Sequence, residues 1–177
     1  MQRFSLILEE FIHRDAHIQA DQVAKTITIS EPQNTGKRQL RSVKIKGFQE
    51  IYFALKLDHE DCPFLGNLIP KGLWRQSVDA VIFGKVNKRD YIFLIELKSN
   101  DKVGVSKKFK SSKAFISFLL TIFKEHYDID IQKNVRIRSI RFGRNLNDGR
   151  PEINDKGYYN QGFAKTDNET WIRNFTT

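Results

Sequence analysis

The chain has 177 residues, 40% of them hydrophobic, which suits one packed domain over residues 1–177 and excludes a disordered polymer. Its single cysteine, Cys62, excludes an intrachain disulfide and any four-cysteine zinc or iron–sulfur site. The formal charge of +9 points to polyanionic partners, nucleic acid first, because basic surfaces concentrate phosphates and release their counterions on binding.

The opening apolar stretch is broken by Glu9 and Glu10 before a signal-peptide core forms, and no run reaches the length of a membrane span. A cytoplasmic protein with no membrane partner is expected. Phe4, Ile7, Leu8, Phe11 and Ile12 recur at helical spacing and predict an amphipathic helix from residue 3 to about 14. Val23 to Ser30 alternates as a strand, Glu31 to Gly36 reads as turn, and Val43 to Lys46 is extended again. Between Phe48 and Leu57 two periods compete, and the alternation of Ile51, Phe53, Leu55 and Leu57 favours a strand. Asp58 to Trp74 holds two prolines and two glycines and reads as a long loop.

Ser77 to Ser99 carries two apolar strands with charge near one end of each. If Gly84 faces Tyr91 across a six-residue loop, antiparallel pairing sets Asp79 opposite Glu96, with Cβ atoms roughly 4.5–5.5 Å apart. Lys98, two residues beyond Glu96, shares their face. Tyr91 to Leu97 is apolar on both faces until Glu96, which predicts a central strand covered by helices on both sides. Ser106 is a candidate cap for a helix to about Tyr127, buried through Phe115, Phe118, Leu119, Ile122 and Phe123, with Lys110, Lys113, Ser117 and Lys124 turned away. Val135 to Phe142 returns as a strand parallel to the Glu96 strand. From residue 145 to 177 no period is visible, and an irregular C-terminal extension with scattered aromatics is expected.

Two carboxylates placed side by side repel and resist ionisation, and a hard cation with oxygen ligands, Mg²⁺ or Mn²⁺, removes both problems. On that reading, loss of Asp79 or Glu96 relieves repulsion in the metal-free protein and leaves the fold intact or slightly more stable. A lysine beside such a site can orient a water or stabilise charge building on a phosphate.

Asp79 followed by Glu96-Leu97-Lys98 resembles the signature of the PD-(D/E)XK nuclease superfamily, with Val78 standing where that signature usually has Pro. The resemblance rests on a short part of the chain, supported by the order of elements around it. It implies a restriction-endonuclease-like α/β fold, a central mixed β-sheet flanked by helices in the order α-β-β-β-α-β. The implied activity is Mg²⁺- or Mn²⁺-dependent hydrolysis of phosphodiester bonds, in DNA ahead of RNA. Asp79, Glu96 and the backbone carbonyl of Leu97 would hold the metal, and Lys98 would act on the water or the phosphate. Members often add an acid from the first helix, a place that fits Glu10, with Glu9 beside it and Glu50 competing. A homodimer is the simplest route to cutting two strands. The alternatives are a non-catalytic nucleic-acid-binding or assembly module of the same fold, and an endoribonuclease.

Lys113 on the second helix, and Arg136 and Arg138 with Arg141 and Arg144 along the following strand, are candidate phosphate contacts. Tyr158, Tyr159 and Trp171 are either base-stacking platforms or anchors for the extension. His13 and His17 have a zinc-chelating spacing that His59 and Cys62 could complete, but no Glu follows His13 and surface histidines explain the pair. No phosphate-binding GxxxxGK[ST] loop or GxGxxG turn is present.

Overall fold

The computed structural model describes residues 2–30, 42–57, 77–97, 104–143, 151–163 and 168–176. The readings made for Glu31–Gly36, for the whole Asp58–Trp74 segment with His59 and Cys62, and for Lys98 and Arg144 lie outside these residues. The described chain is mixed α/β, with two helices and two mixed sheets.

Helix α1 spans Gln2–Phe11. The strands that follow are β1 (Ala20–Asp21), β2 (Thr26–Ser30), β3 (Ser42–Lys46) and β4 (Glu50–Lys56). After them come β5 (Ala80–Val86), β6 (Arg89–Leu97), helix α2 (Val105–Tyr127), β7 (Val135–Gly143), β8 (Glu152–Ile153), β9 (Tyr159–Gly162) and β10 (Glu169–Trp171). A six-stranded sheet runs in the order β4-β5-β6-β7-β9-β8, and a four-stranded sheet runs β1-β2-β3-β10. In the larger sheet β4, β5 and β6 are antiparallel neighbours, whereas β7 is parallel to β6 and β9 to β7.

Alternate side chains divide the large sheet between two apolar cores. Val81, Phe83, Ile92 and Leu94 meet Phe4 and Leu8 of α1 and Phe109, Ile116, Leu119 and Phe123 of α2. Ala80, Ile82, Phe93, Ile95, Ile140 and Phe142 instead meet Ile27, Ile29, Val43 and Ile45 of the small sheet. The sheet is therefore covered on both faces, by helices on one and by a second sheet on the other. An apolar run reports burial and not what does the burying, which is why helices on both sides were expected and only one side has them.

The competing periods around Ile51 resolve as strand, with a register irregularity between Ile51 and Phe53 that lets Phe53 and Leu55 share the helix-side core. The hairpin register places Gly84 opposite Tyr91 as the sequence suggests, but the ladder continues through Lys85↔Asp90 and Val86↔Arg89. The loop is thus Asn87-Lys88 alone, with φ of 49° and 62°. Positive φ at both central residues is what a type I′ hairpin turn requires, and it matches the right-handed twist of the strands it joins.

Helix α2 begins after Gly104, at φ 83°, with no side-chain cap, so Ser106 lies inside the first turn. Its buried stripe is Val105, Phe109, Ser112, Ile116, Leu119, Leu120 and Phe123. Phe118, expected in the core, is 49% exposed. The expected stripe favoured bulky residues, while the true one passes through Ser112, whose hydroxyl accepts the Val78 amide at 3.0 Å. The stretch read as an irregular extension supplies β8 and β9 to the large sheet and β10 to the small one where it is described. Its Tyr159, Phe163, Ile172 and Phe175 enter the inter-sheet core.

Lys88 occupies a left-handed conformation that costs a side-chain-bearing residue more than glycine. Lys88→Gly should raise stability by about 0.5–1 kcal/mol, read from the denaturation midpoint. A loss of that size would mean that the hairpin turn, and with it the register that aligns Asp79 with Glu96, is formed differently.

Candidate active site

Asp79 lies one residue before β5 and Glu96 one residue before the end of β6, and continuing the register from Ala80↔Ile95 sets them opposite each other. Their neighbours on the helix-side face are Val81 and Leu94, so both carboxylates point under the first turn of α2. Glu96 is 1% exposed. A carboxylate so buried needs a cation, and α2 supplies one. The Lys108 ammonium is 3.0 Å from Glu96 Oε1, donates to Oε2 at 3.1 Å, and lies 4.0 Å from Asp79 Oδ1. Asp79 Oδ2 accepts a short hydrogen bond from the Leu97 amide, which ties the carboxylate across to the Glu96 strand.

Two features of the local sequence fix this arrangement. Ser112, one helical turn beyond Lys108 on the same side of α2, holds the Val78 amide and sets where Asp79 begins. The αL residue Gly104 accepts the Lys108 amide on its carbonyl, so the helix starts with Lys108 already over the end of the sheet. The sequence reading missed Lys108 because it sits outside the Glu-x-Lys triplet. The available signal was a lysine in the first turn of a helix whose next turns are apolar on the same face.

The carboxylates extend into a polar row across the sheet. Glu96 pairs with Arg141 on β7, Arg141 with Asn160 on β9, and Asn160 with Glu152 on β8. Partnered residues share a face, so Asp79, Glu96, Arg141, Asn160 and Glu152 form one line on the helix side. Among the described residues no group of three or more His, Cys, Asp or Glu side chains gathers as a metal site. Glu9 and Glu10 are exposed on α1 and do not join Asp79 and Glu96 in such a group.

Glu50 lies at the far end of the hairpin, opposite Lys85 and 3.5 Å from its ammonium. A hydrogen bond from Tyr52, then the charge of Lys85, holds its carboxyl below the usual range. Burial, followed by hydrogen bonds to Glu50 and Asp90, pushes the Tyr52 phenol far up, so it stays a donor. Asp90 is six residues before Glu96, which puts this cluster about 20 Å along the strand from the carboxylate pair.

The expected phosphate contacts divide. Lys113 is exposed on α2. Arg136 and Arg138 pair with Tyr91 and Phe93, whose side chains face the small sheet, so they lie on the face opposite Glu96, roughly 16 and 10 Å back along the strands. Arg138 rests with its guanidinium carbon 6.0 Å from the Tyr91 ring. Arg141, by contrast, falls in the carboxylate row. Tyr158 and Tyr159 are buried anchors, whereas Trp171 is 43% exposed between Lys46 and Arg173. His17 is bound to the Ile12 carbonyl at 2.9 Å and lies edge-on to Phe53, while exposed His13 faces Asp15.

No family model matches this chain, and comparison with curated proteins and with solved structures likewise gives no match.

Lys108 removes the repulsion on which the expected tolerance of Asp79 or Glu96 loss rests. Lys108→Met should therefore destabilise the metal-free protein by on the order of 3 kcal/mol, because Glu96 is left buried and charged. Adding Glu96→Gln to that variant should restore much of the loss in a double-mutant cycle. Additive effects in chemical denaturation would show that the pair is not coupled.

Proposed function

We propose that the protein is a metal-dependent nuclease of the PD-(D/E)XK type that hydrolyses phosphodiester bonds, in DNA ahead of RNA. The observation that carries this reading is the pair Asp79 and Glu96 on adjacent antiparallel strands, on one face, sharing a single ammonium. The succession α1, β4, β5, β6, α2, β7, with β1 to β3 inserted after α1, supports an α-β-β-β-α-β reading, and the crossover through α2 leaves β7 parallel to β6.

The donor set fits Mg²⁺ or Mn²⁺. Both are hard cations that take carboxylate and carbonyl oxygens and keep several waters, so two carboxylates and the Leu97 carbonyl suffice on the protein side. The ammonium between the carboxylates marks a position where positive charge is already favoured. When bound, the metal would supply an activated water and a counter-charge to the phosphate. The chain's own residues prepare the place: the Leu97 amide orients Asp79, the apolar end of β6 holds Glu96 dry, and Lys98, two residues on, would act on the water or the phosphate. Lys108 would give up the metal position and remain as a cation beside the scissile group. Arg136, Arg138 and Lys113 would add salt-sensitive contacts to the nucleic-acid backbone away from the chemistry.

A second reading, a nucleic-acid-binding module that does not cleave, is favoured by the same Lys108, which satisfies both carboxylates without a metal. Cleavage assays separate the two. With Mg²⁺ or Mn²⁺ and matched DNA and RNA substrates, the wild type should cut, Asp79→Asn and Glu96→Gln should fall to background with unchanged circular dichroism, and Lys98→Gln should be slower by roughly 10² or more. Divalent metal should also raise the melting temperature of the wild type and not of Glu96→Gln. Absence of cleavage on every substrate, with nucleic-acid binding retained, establishes the module reading.

A further inference from the structure

Three of the buried polar atoms that lack a hydrogen-bond partner among the described residues lie together. They are Ser139 Oγ and Arg141 Nε on β7 and Asn160 Oδ1 on β9. Ile140 and Phe142 belong to the inter-sheet core, so Ser139 and Arg141 point to the opposite, helix side, and Asn160 follows Arg141 through the register. Arg141 is 3% exposed, yet it takes part in none of the ion pairs among the described residues, although Glu96 is its cross-strand neighbour. Glu96 is turned to Lys108 instead. A buried guanidinium with an unsatisfied donor costs stability, and a group held at such cost next to a candidate site is poised for a ligand.

The chemistry of the three groups defines that ligand. Arg141 is a permanent cation with planar donors suited to a phosphate, Ser139 supplies a rotatable hydroxyl donor, and Asn160 can present its amide NH₂ in the other orientation of its side chain. The row is open at both ends: the side chains of Asp79 and Lys108 are 15% and 19% exposed at one, Asn160 is half-buried and Glu152 exposed at the other, and Glu96 and Arg141 are buried between them. An anionic group reaching the middle of the row has the carboxylates on one side and the guanidinium on the other.

We propose that Arg141, with Ser139 and Asn160, is the phosphate-binding half of the Asp79–Glu96 site and takes a non-bridging oxygen of the phosphodiester. This rests on the nuclease reading for its substrate, but the anion site itself is testable without metal or cleavage. Arg141 is a binding and positioning residue here, and no proton or bond moves through it.

The experiment compares melting of the full chain in inorganic phosphate and in chloride at equal ionic strength with EDTA present, for wild type, Arg141→Met and Asn160→Asp. Phosphate stabilises most folded proteins by exclusion, so the difference between wild type and variant is what is read. The expected result is a larger phosphate-induced rise for wild type than for either variant. In chloride, Arg141→Met should melt at or above wild type, because an unsatisfied buried charge is gone. Asn160→Asp should melt higher still, because its carboxylate fills the anion position beside Arg141. In the same EDTA buffer, a fluorescently labelled oligonucleotide should bind each variant about tenfold or more weakly, the scale of one charge-assisted hydrogen bond. The proposal is overturned if Arg141→Met is destabilised in chloride while its phosphate rise matches wild type, since that is the signature of a purely structural arginine. It is equally overturned if both variants fold and bind oligonucleotide as the wild type does. If the wild type cleaves and the variants behave so, the nuclease reading stands and this one fails. If nothing cleaves but the phosphate difference appears, the anion site stands without the nuclease.

Discussion

The fold is organised around a charge that cannot be left alone. Glu96 stands at the end of a strand whose preceding residues from Tyr91 to Ile95 are all buried, and it is itself 1% exposed. An isolated carboxylate in that position would be neutralised or would unfold its surroundings, so a cation must reach it. Lys108 is that cation, and its arrival depends on where α2 starts. That start depends on the left-handed Gly104, and the alignment of Asp79 depends on Ser112 one turn later. The apolar packing of α2 against Phe83, Ile92 and Leu94 then fixes the helix in place. A single electrostatic need thus links the helix, the hairpin and the strand end.

Much of this was legible in the sequence where one short-range rule decides. The hairpin register was assumed with Gly84 facing Tyr91, which the ladder has, and it matters because a slip of one residue would turn Asp79 and Glu96 to opposite faces. Strand β7 and its parallel pairing followed from the strand-helix-strand order. The turn was read four residues too long, since Lys85, Asp90 and Arg89 are polar and look like loop, while the end of a ladder next to its turn tolerates polar residues. The helix stripe was misplaced because Ser112 is buried for its hydrogen bond and not for its hydrophobicity. Long-range partners were the least visible. Nothing local to Glu169-Thr170-Trp171 says that it will pair in parallel with β3, over a hundred residues earlier. Likewise, nothing near Arg141 announces Asn160 as its neighbour.

The site separates into parts of different character. Asp79, Glu96 and Lys108 engage one another, whereas Arg141, Ser139 and Asn160 have buried atoms with no hydrogen-bond partner among the described residues. A purely structural network would be expected to close on itself, as buried polar groups generally do. The proposed anion site rests on that contrast between paired carboxylates and unpaired donors. Basic residues on the opposite face, such as Arg138 against Tyr91, serve the general positive field of a +9 chain and not the row itself.

The central claim is that Asp79 and Glu96 together form a divalent-metal site. Anomalous diffraction from crystals soaked in Mn²⁺ tests it most directly, because the ion is seen with its ligands and with Lys108 in the same map. The expected result is one Mn²⁺ with oxygens of Asp79 and Glu96 in its coordination shell and the Lys108 ammonium withdrawn from the position between them. Fully occupied crystals of intact protein that show no Mn²⁺ there, with Lys108 still bridging both carboxylates, would contradict it.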